Sequence, residues 1–229
     1  MHGRALRRRQ RFFFVVFSGL RFSLNLGILE RPLVFGAILG LVLGDVQSGI
    51  AVGLFFELFW LDLIPAGTYI PPNSLLSVCI TLGLIRHYHL EGAGECLPAL
   101  ILGIPGAYIG AWLERMHRSW QDRGYNRLLA WAKGSSRGSS PQAIVRYSLI
   151  QLASVNLLLV LICMLAALSI FGLAVHLSGP ALFLPLSHFS WPMLWLTAAV
   201  GGVLALRVKD AYRGFALGVS LVFLVLLLQ

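Results

Sequence analysis

Apolar residues fill this chain in long blocks, and the polar ones are gathered between them. From Tyr147 to Leu206 there is no Asp, Glu, Lys or Arg. As one helix that stretch would run roughly 90 Å, against a hydrocarbon core of about 30 Å, so it must cross a bilayer more than once. Further apolar blocks lie at 12–29, 32–44, 46–61, 74–90, 96–113 and 214–228. The pattern predicts an all-α polytopic membrane protein. Residues 1–31 are expected to form a basic N-terminus with an interfacial or short membrane segment, because Arg21 and Asn25 interrupt its apolar run. Residues 32–113 then make a first membrane half and 147–229 a second, in which Pro180 and Pro185 break the stretch 171–191. Between the halves, 114–146 is expected as a flexible hydrophilic loop carrying KGSSRGSSPQ.

The first half has one anomaly. In GLFFELFWLDLIPAGTYIPPNSLLS (53–77), Glu57 stands in an aromatic run, and residues 62–73 then refuse to be helical. An acid at membrane depth costs about 2.5 kcal/mol or more, so it normally faces protein or a wet cavity. Gly49, Gly53 and Glu57 recur every four residues on one helical face, where small residues let a neighbouring helix pack closely. Counting from Asp45, roughly 18 Å of helix puts Glu57 near the middle of the membrane. A purely structural carboxyl, protonated or bonded to nearby backbone, is the alternative. The broken stretch supplies Asp62, Pro65, Gly67, Thr68, Pro72 and Asn73. Non-helical backbone at that depth belongs in a re-entrant element that lines a cavity, where free backbone groups meet a ligand. An ordinary extramembrane loop is the other reading. Asn73 is the candidate cap of the next helix. A carboxylate, an amide and loose backbone groups suit a ligand with many hydroxyls.

Charge orients these segments. The net charge of +9 is no nucleic-acid signature, because its arginines cluster between apolar blocks: Arg4 to Arg11, Arg115 to Arg146, and Arg207 to Arg213. Short basic segments stay on the cytoplasmic side. With 12–29 lying flat, crossings by 32–44, 46–61, 74–90 and 96–113 return 114–146 to that side, and all three clusters agree. MHGRALRRRQRFFFVVFSGL has the basic and apolar regions of a signal peptide but no small-x-small cleavage site, so it is expected to be retained. GDVQSGIAVG (44–53) and KDAYRGFALG (209–218) share Asp, Gly, Ala and Gly at matching positions. In this topology they point opposite ways, the arrangement of an inverted repeat; chance recurrence of Gly and Ala is the alternative.

Little else offers chemistry. Cys79, Cys96 and Cys163 are far apart, in apolar surroundings, with no CxxC spacing. His87, His89, Glu91 and Glu95 have no recognised metal-ligand spacing and read as a solvated turn. His176 and His188 flank the second broken stretch and read as packing or interfacial residues. No P-loop, GxSxG or HExxH is present. Neither catalytic residues, nor a metal set, nor a cofactor is expected.

RPLVFGAILGLVLGDVQSGIAVGLFFELFWLDLIPAGTYIPPNSLLS (31–77) resembles the IIC subunit of the mannose/fructose/sorbose family of the bacterial phosphotransferase system (PTS). The Arg-Pro-Leu start, the Leu-Gly-Asp, the Phe-Glu pair and the Gly followed by Pro-Pro carry the likeness, and LPALILGIPGAYIGAWLERMHRSWQDRG (97–124) extends it. The resemblance implies a multi-pass permease subunit of the bacterial cytoplasmic (inner) membrane. It would pair with a membrane IID subunit, in homo-oligomers of IIC–IID units, and hold a hexose-type sugar for phosphorylation by the phosphohistidine of cytoplasmic IIA/IIB. The family glutamate maps onto Glu57 and its re-entrant sugar-contacting segment onto Pro65 to Asn73. Where the family usually has Asp after Pro, this chain has Asn73, which keeps a hydrogen-bonding group and loses a charge. That departure motivates a second expectation, a non-transporting membrane sensor; an unrelated small-solute carrier is the third.

Overall fold

The computed structural model describes residues 27–63, 69–132, 141–179 and 188–206, together with Phe183, Leu186, Tyr212, Gly214, Ala216 and Gly218. Among them, a short 3-10 turn at Gly27–Glu30 precedes six helices: α1 Pro32–Leu43, α2 Val46–Phe59, α3 Ser74–Tyr88, α4 Ala93–Ala132, α5 Pro141–Ser178 and α6 Trp191–Ala205. The flat segment expected at 12–29 lies almost wholly outside the described residues. So do the span at 214–228 as a continuous segment and the Lys209-Asp210 start of the second repeat copy.

Helices α1 and α2 form a tight hairpin whose every joint is visible in the sequence. Pro32, with its fixed φ, opens α1. Gly44 ends it in the left-handed region at φ 77°, which glycine enters without a Cβ penalty. Asp45 N–H then donates to the Gly40 carbonyl at 2.8 Å, and the Asp45 carboxylate caps α2 by accepting from Ser48 N–H at 3.1 Å. The two helices meet backbone to backbone. A Cβ on Gly53 would come within 2.7 Å of the Pro32 carbonyl oxygen, and one on Gly49 within 2.8 Å of Gly40 Cα. Gly36 and Gly49 face each other in the same way.

Helix α3 is the core of the molecule, buried continuously from Leu75 to Ile85. It packs against the hairpin on one side and against α4 and α5 on the other. Ser77 Oγ donates to the Gly103 carbonyl at 2.7 Å and Thr81 Oγ1 to the Ala99 carbonyl at 3.2 Å. Both hydroxyls are fully buried, so these bonds to α4 satisfy groups that would otherwise cost about 1–3 kcal/mol each. Tyr88 Oη reaches α5 at the Leu168 carbonyl, and Trp195 of α6 donates to the Ala51 carbonyl of α2 at 3.1 Å.

Three expectations about the segments change. Within 114–146 the described residues, 114–132 and 141–146, are helical: α4 runs on to Ala132 and α5 begins at Pro141. Hydropathy marks where the apolar run ends, but no proline stops the helix there, and a Glu114–Arg118 pair one turn apart, at 2.7 Å, supports it. The stretch 171–191 is helical as far as Ser178; Pro180 and Pro185 lie outside the described residues. Crossings by 32–44 and 46–61 also need revision. Helices α1 and α2 have 12 and 14 residues, a rise of about 18 and 21 Å, short of a core of about 30 Å. Helices α3 and α6, at 15 residues each, fall short by the same measure. Among the described residues, Ala93–Asp122 and Val145–Ser178 are the helices long and apolar enough to cross. Leu158, Ile162 and Leu165 of α5 are exposed in the isolated chain, as a lipid-facing surface would be.

Candidate functional site

The open end of the hairpin brings together residues far apart in sequence. Glu57 lies in the last turn of α2, directly opposite the start of α1. Its carboxylate accepts from Arg31 Nη1 at 2.8 Å and from Leu33 N–H at 3.4 Å. The acid therefore sits on a helix N-terminus, where the unpaired N–H groups and the macrodipole favour a negative charge. The carboxylate thus faces protein, with a guanidinium and a backbone N–H as its partners. The Glu57 side chain is 18% exposed and that of Arg31 66%. A pair this open to water is worth about 0–1 kcal/mol, so exchanging it for a ligand costs little.

After Phe59 the chain leaves the helix, and the described residues of 60–73 remain non-helical until α3 begins. Asn73 starts α3 in two ways. Its Oδ1 accepts from Leu76 N–H at 3.2 Å, and its own N–H donates to the Ala107 carbonyl of α4 at 3.0 Å. Between the hairpin mouth and this segment is a cavity of about 530 Å³ bordered by Arg31, Glu57, Trp60, Pro71, Pro72 and Asn73. Phe56 and Trp60 stack beside it, ring centroids 5.1 Å apart. The Trp60 indole N–H is buried without a hydrogen-bond partner among the described residues. A few polar groups converging on a flat aromatic wall is the usual composition of a small-molecule pocket. A carboxylate, a guanidinium and an amide can bond several hydroxyls at once.

Of the residues singled out from sequence, Glu57, Pro72 and Asn73 meet at this cavity. Asp62 lies in the turn after α2, half-buried, and is not among the cavity's lining residues. Pro65, Gly67 and Thr68 lie outside the described residues. Gly49 and Gly53 hold the hairpin together. Arg31 and Trp60 are additions that sequence reading misses. Trp60 has a signal, since it falls one turn after Glu57; Arg31 opens the Arg-Pro-Leu motif, but nothing in the sequence pairs it with a residue 26 positions away. Glu95, which the sequence groups with His87, His89 and Glu91, accepts from Glu91 N–H at 3.0 Å and Gly92 N–H at 3.4 Å and so caps α4.

The capping role gives a test that separates structure from ligand. Asn73→Ala removes the cap and should lower stability by about 1 kcal/mol. Asn73→Asp keeps an acceptor there and should leave the melting temperature of the detergent-purified protein near that of the parent. Equal loss in both would mean that the Asn73 side chain stabilises α3 by some other route.

The family model EII-Sor, described as PTS system sorbose-specific IIC component, matches residues 11–206. Putative N-acetylgalactosamine permease IIC component 2 of Escherichia coli (strain K12) is 38% identical over 63 residues, 28% of this chain and 47% of that protein. N-acetylgalactosamine permease IIC component 1 of the same organism is 36% identical over 63 residues, 28% of this chain and 24% of that one. The matched stretch thus spans less than half the length of either relative. Among solved structures, one described as a membrane protein superposes with a TM-score of 0.63 at 20% identity, covering 92% of this chain and 85% of that one. The mannose transporter ManYZ, imaged by cryo-electron microscopy with microcin E492, gives a TM-score of 0.54 at 18% identity, with 92% and 84% covered. At such identities the agreement is one of fold.

Proposed function

This chain belongs to the PTS sorbose-specific IIC family, and from that membership we propose that it is the sugar-holding IIC subunit of a permease of the mannose/sorbose type. It binds a hexose-type sugar between Glu57 and the 71–73 segment during uptake coupled to phosphorylation. The observation that carries this reading is the cavity of about 530 Å³ in which Glu57, Arg31, Trp60 and Asn73 converge. The Glu57, Arg31 and Asn73 side chains offer hydroxyl-bonding partners beside the Trp60 ring, which suits holding a sugar, with the phosphoryl chemistry left to IIA/IIB. An N-acetylhexosamine is a leading substrate class, because both relatives from Escherichia coli are named for N-acetylgalactosamine. The protein is multi-pass in the bacterial cytoplasmic membrane, with a IID subunit beside it. The arginines near the end of α4 and the start of α5 face the cytoplasm.

Uptake is the test. Right-side-out vesicles containing this chain, its IID partner and IIAB, loaded with the soluble phosphocarrier proteins of the relay, should accumulate labelled N-acetylgalactosamine or mannose as the phosphate ester only when phosphoenolpyruvate is supplied inside. Binding without uptake would favour the sensor reading that Asn73 motivates. Uptake independent of both IID and phosphoenolpyruvate would identify an unrelated carrier.

A further inference from the structure

Helices α4 and α5 enclose an apolar groove of about 410 Å³, floored by Ile80 of α3 with Leu159, Cys163 and Ala167 of α5. Its rims are open. Ile109 and Trp112 on α4, and Leu158, Ile162 and Ile170 on α5, line it and are exposed in the isolated chain. None of its lining residues is charged. Gly106 on α4 and Ala166 and Ala167 on α5 keep it hollow, where larger side chains would fill it. Both helices are long and apolar enough to cross a bilayer, so the groove opens onto hydrocarbon.

Two magnitudes choose between occupants. From Leu102 to Trp112 the lining rises about 15 Å along α4, half of a core about 30 Å thick. That is the depth of one leaflet, and so of one acyl chain. A helix about 10 Å across takes up roughly 1,200 Å³ over the same length, about three times the volume of the groove. Its close approach would also need small residues at the rims, and Ile109, Trp112, Leu158 and Ile162 are bulky. A hydrocarbon chain needs neither.

Burying a tail selects nothing by itself, since lipid tails are as apolar as the groove. Selectivity must come from the headgroup, and the basic end of the groove supplies it. Trp112 and Trp120 line that end, and tryptophan is favoured at the membrane–water interface. Arg115 follows Trp112 by three residues, so the two are neighbours on the helix surface. Arg115 is exposed, and its guanidinium has no ion-pair or hydrogen-bond partner among the described residues. Arg118, by contrast, is held by Glu114 at 2.7 Å. Between Leu113 and Tyr147 seven Lys or Arg stand against two acids, Glu114 and Asp122. Basic sites beside membrane helices on the cytoplasmic side attract anionic lipid headgroups.

We propose that the α4–α5 groove holds an anionic phospholipid of the cytoplasmic leaflet, with one acyl chain along the groove and its phosphate on Arg115. The proposal rests on the cytoplasmic orientation of the basic ends given above and is independent of the sugar site.

Photolabelling tests it. The full chain, complexed with its IID subunit, is reconstituted in phosphatidylethanolamine vesicles. These carry a trace of phosphatidylglycerol or of phosphatidylcholine with a diazirine in the acyl chain, and adducts are mapped by mass spectrometry. Peptides covering 102–113 and 155–170 should be labelled about fivefold more by phosphatidylglycerol, the preference that one arginine near the membrane surface confers. Arg115→Gln should bring the two lipids within twofold of each other, while Arg115→Lys, which keeps the charge, should preserve the preference. Ala166→Trp should fill the groove and cut labelling by both lipids. Arg115 is exposed, so its variants keep the test decisive even where Ala166→Trp misfolds. Equal labelling in the parent, or a preference that survives Arg115→Gln, overturns the proposal. So does a groove that takes no lipid label, the result expected where the IID subunit or a second copy of this chain covers it.

Discussion

Glu57→Gln should weaken hexose binding by about 10–150-fold, the equivalent of losing one charge-assisted hydrogen bond worth about 1.5–3 kcal/mol. The substitution is nearly isosteric, so the cavity between the hairpin mouth and Asn73 keeps its shape. What changes is the charge. A carboxylate offers two acceptor oxygens to sugar hydroxyls, whereas an amide offers one and presents donors where acceptors are needed. The Arg31 contact at 2.8 Å is weakened as well, but its solvent exposure limits that loss to about 0–1 kcal/mol. The protein should therefore still insert and show a melting temperature close to the parent's. Dialysis against labelled sugar, beside a thermal melt of the same preparation, measures both. Unchanged affinity would remove Glu57 from the site; a collapsed melting temperature would reassign it to holding α1 against α2.

The second large effect concerns the hairpin. Gly49→Ala should destabilise the protein by about 1–3 kcal/mol, an overpacking cost, although alanine is the better helix former by about 1 kcal/mol. The added methyl would sit 2.8 Å from Gly40 Cα and run into the Gly36 carbonyl oxygen. Both obstacles are backbone, so no side chain can swing aside. Relief comes only from prising α1 away from α2, which pulls Arg31 and the α1 N-terminus from Glu57 and so weakens sugar binding too. Gly201→Ala is the matching control. That glycine lies in α6, and a methyl added to it would meet nothing within 4 Å, so the same change should be neutral or stabilising by up to about 1 kcal/mol. The melting temperature should fall in Gly49→Ala and stay level or rise in Gly201→Ala. Parallel shifts would show that the hairpin yields more readily than its close backbone contacts imply.

Much of this site is local and so can be read from the chain. Gly49 and Gly53 share a face with Glu57 because a helix repeats every 3.6 residues. Asn73 after Pro71-Pro72 has the pattern of a cap, and Asp45 after Gly44 marks a reversal. The features that escape such a reading are of two kinds. The Arg31–Glu57 pair is a tertiary contact across the hairpin, and no periodicity within one segment can reveal it. The length of α4 is hidden because hydropathy reports burial in lipid, whereas helix continuation depends on backbone hydrogen bonds. Residues 114–132 lose their apolar character and remain helical all the same. Helix α3 is the opposite case. It is buried on every side, so it carries no amphipathic stripe to say which neighbours it has.

The site is tested most directly by imaging the complex of this chain with its IID subunit in the presence of saturating N-acetylgalactosamine or mannose. Sugar density between Glu57 and Asn73, with ring hydroxyls within hydrogen-bonding distance of the Glu57 carboxylate and the Asn73 side chain, is the predicted result. An empty Glu57 cavity in a complex that demonstrably holds sugar elsewhere would contradict it.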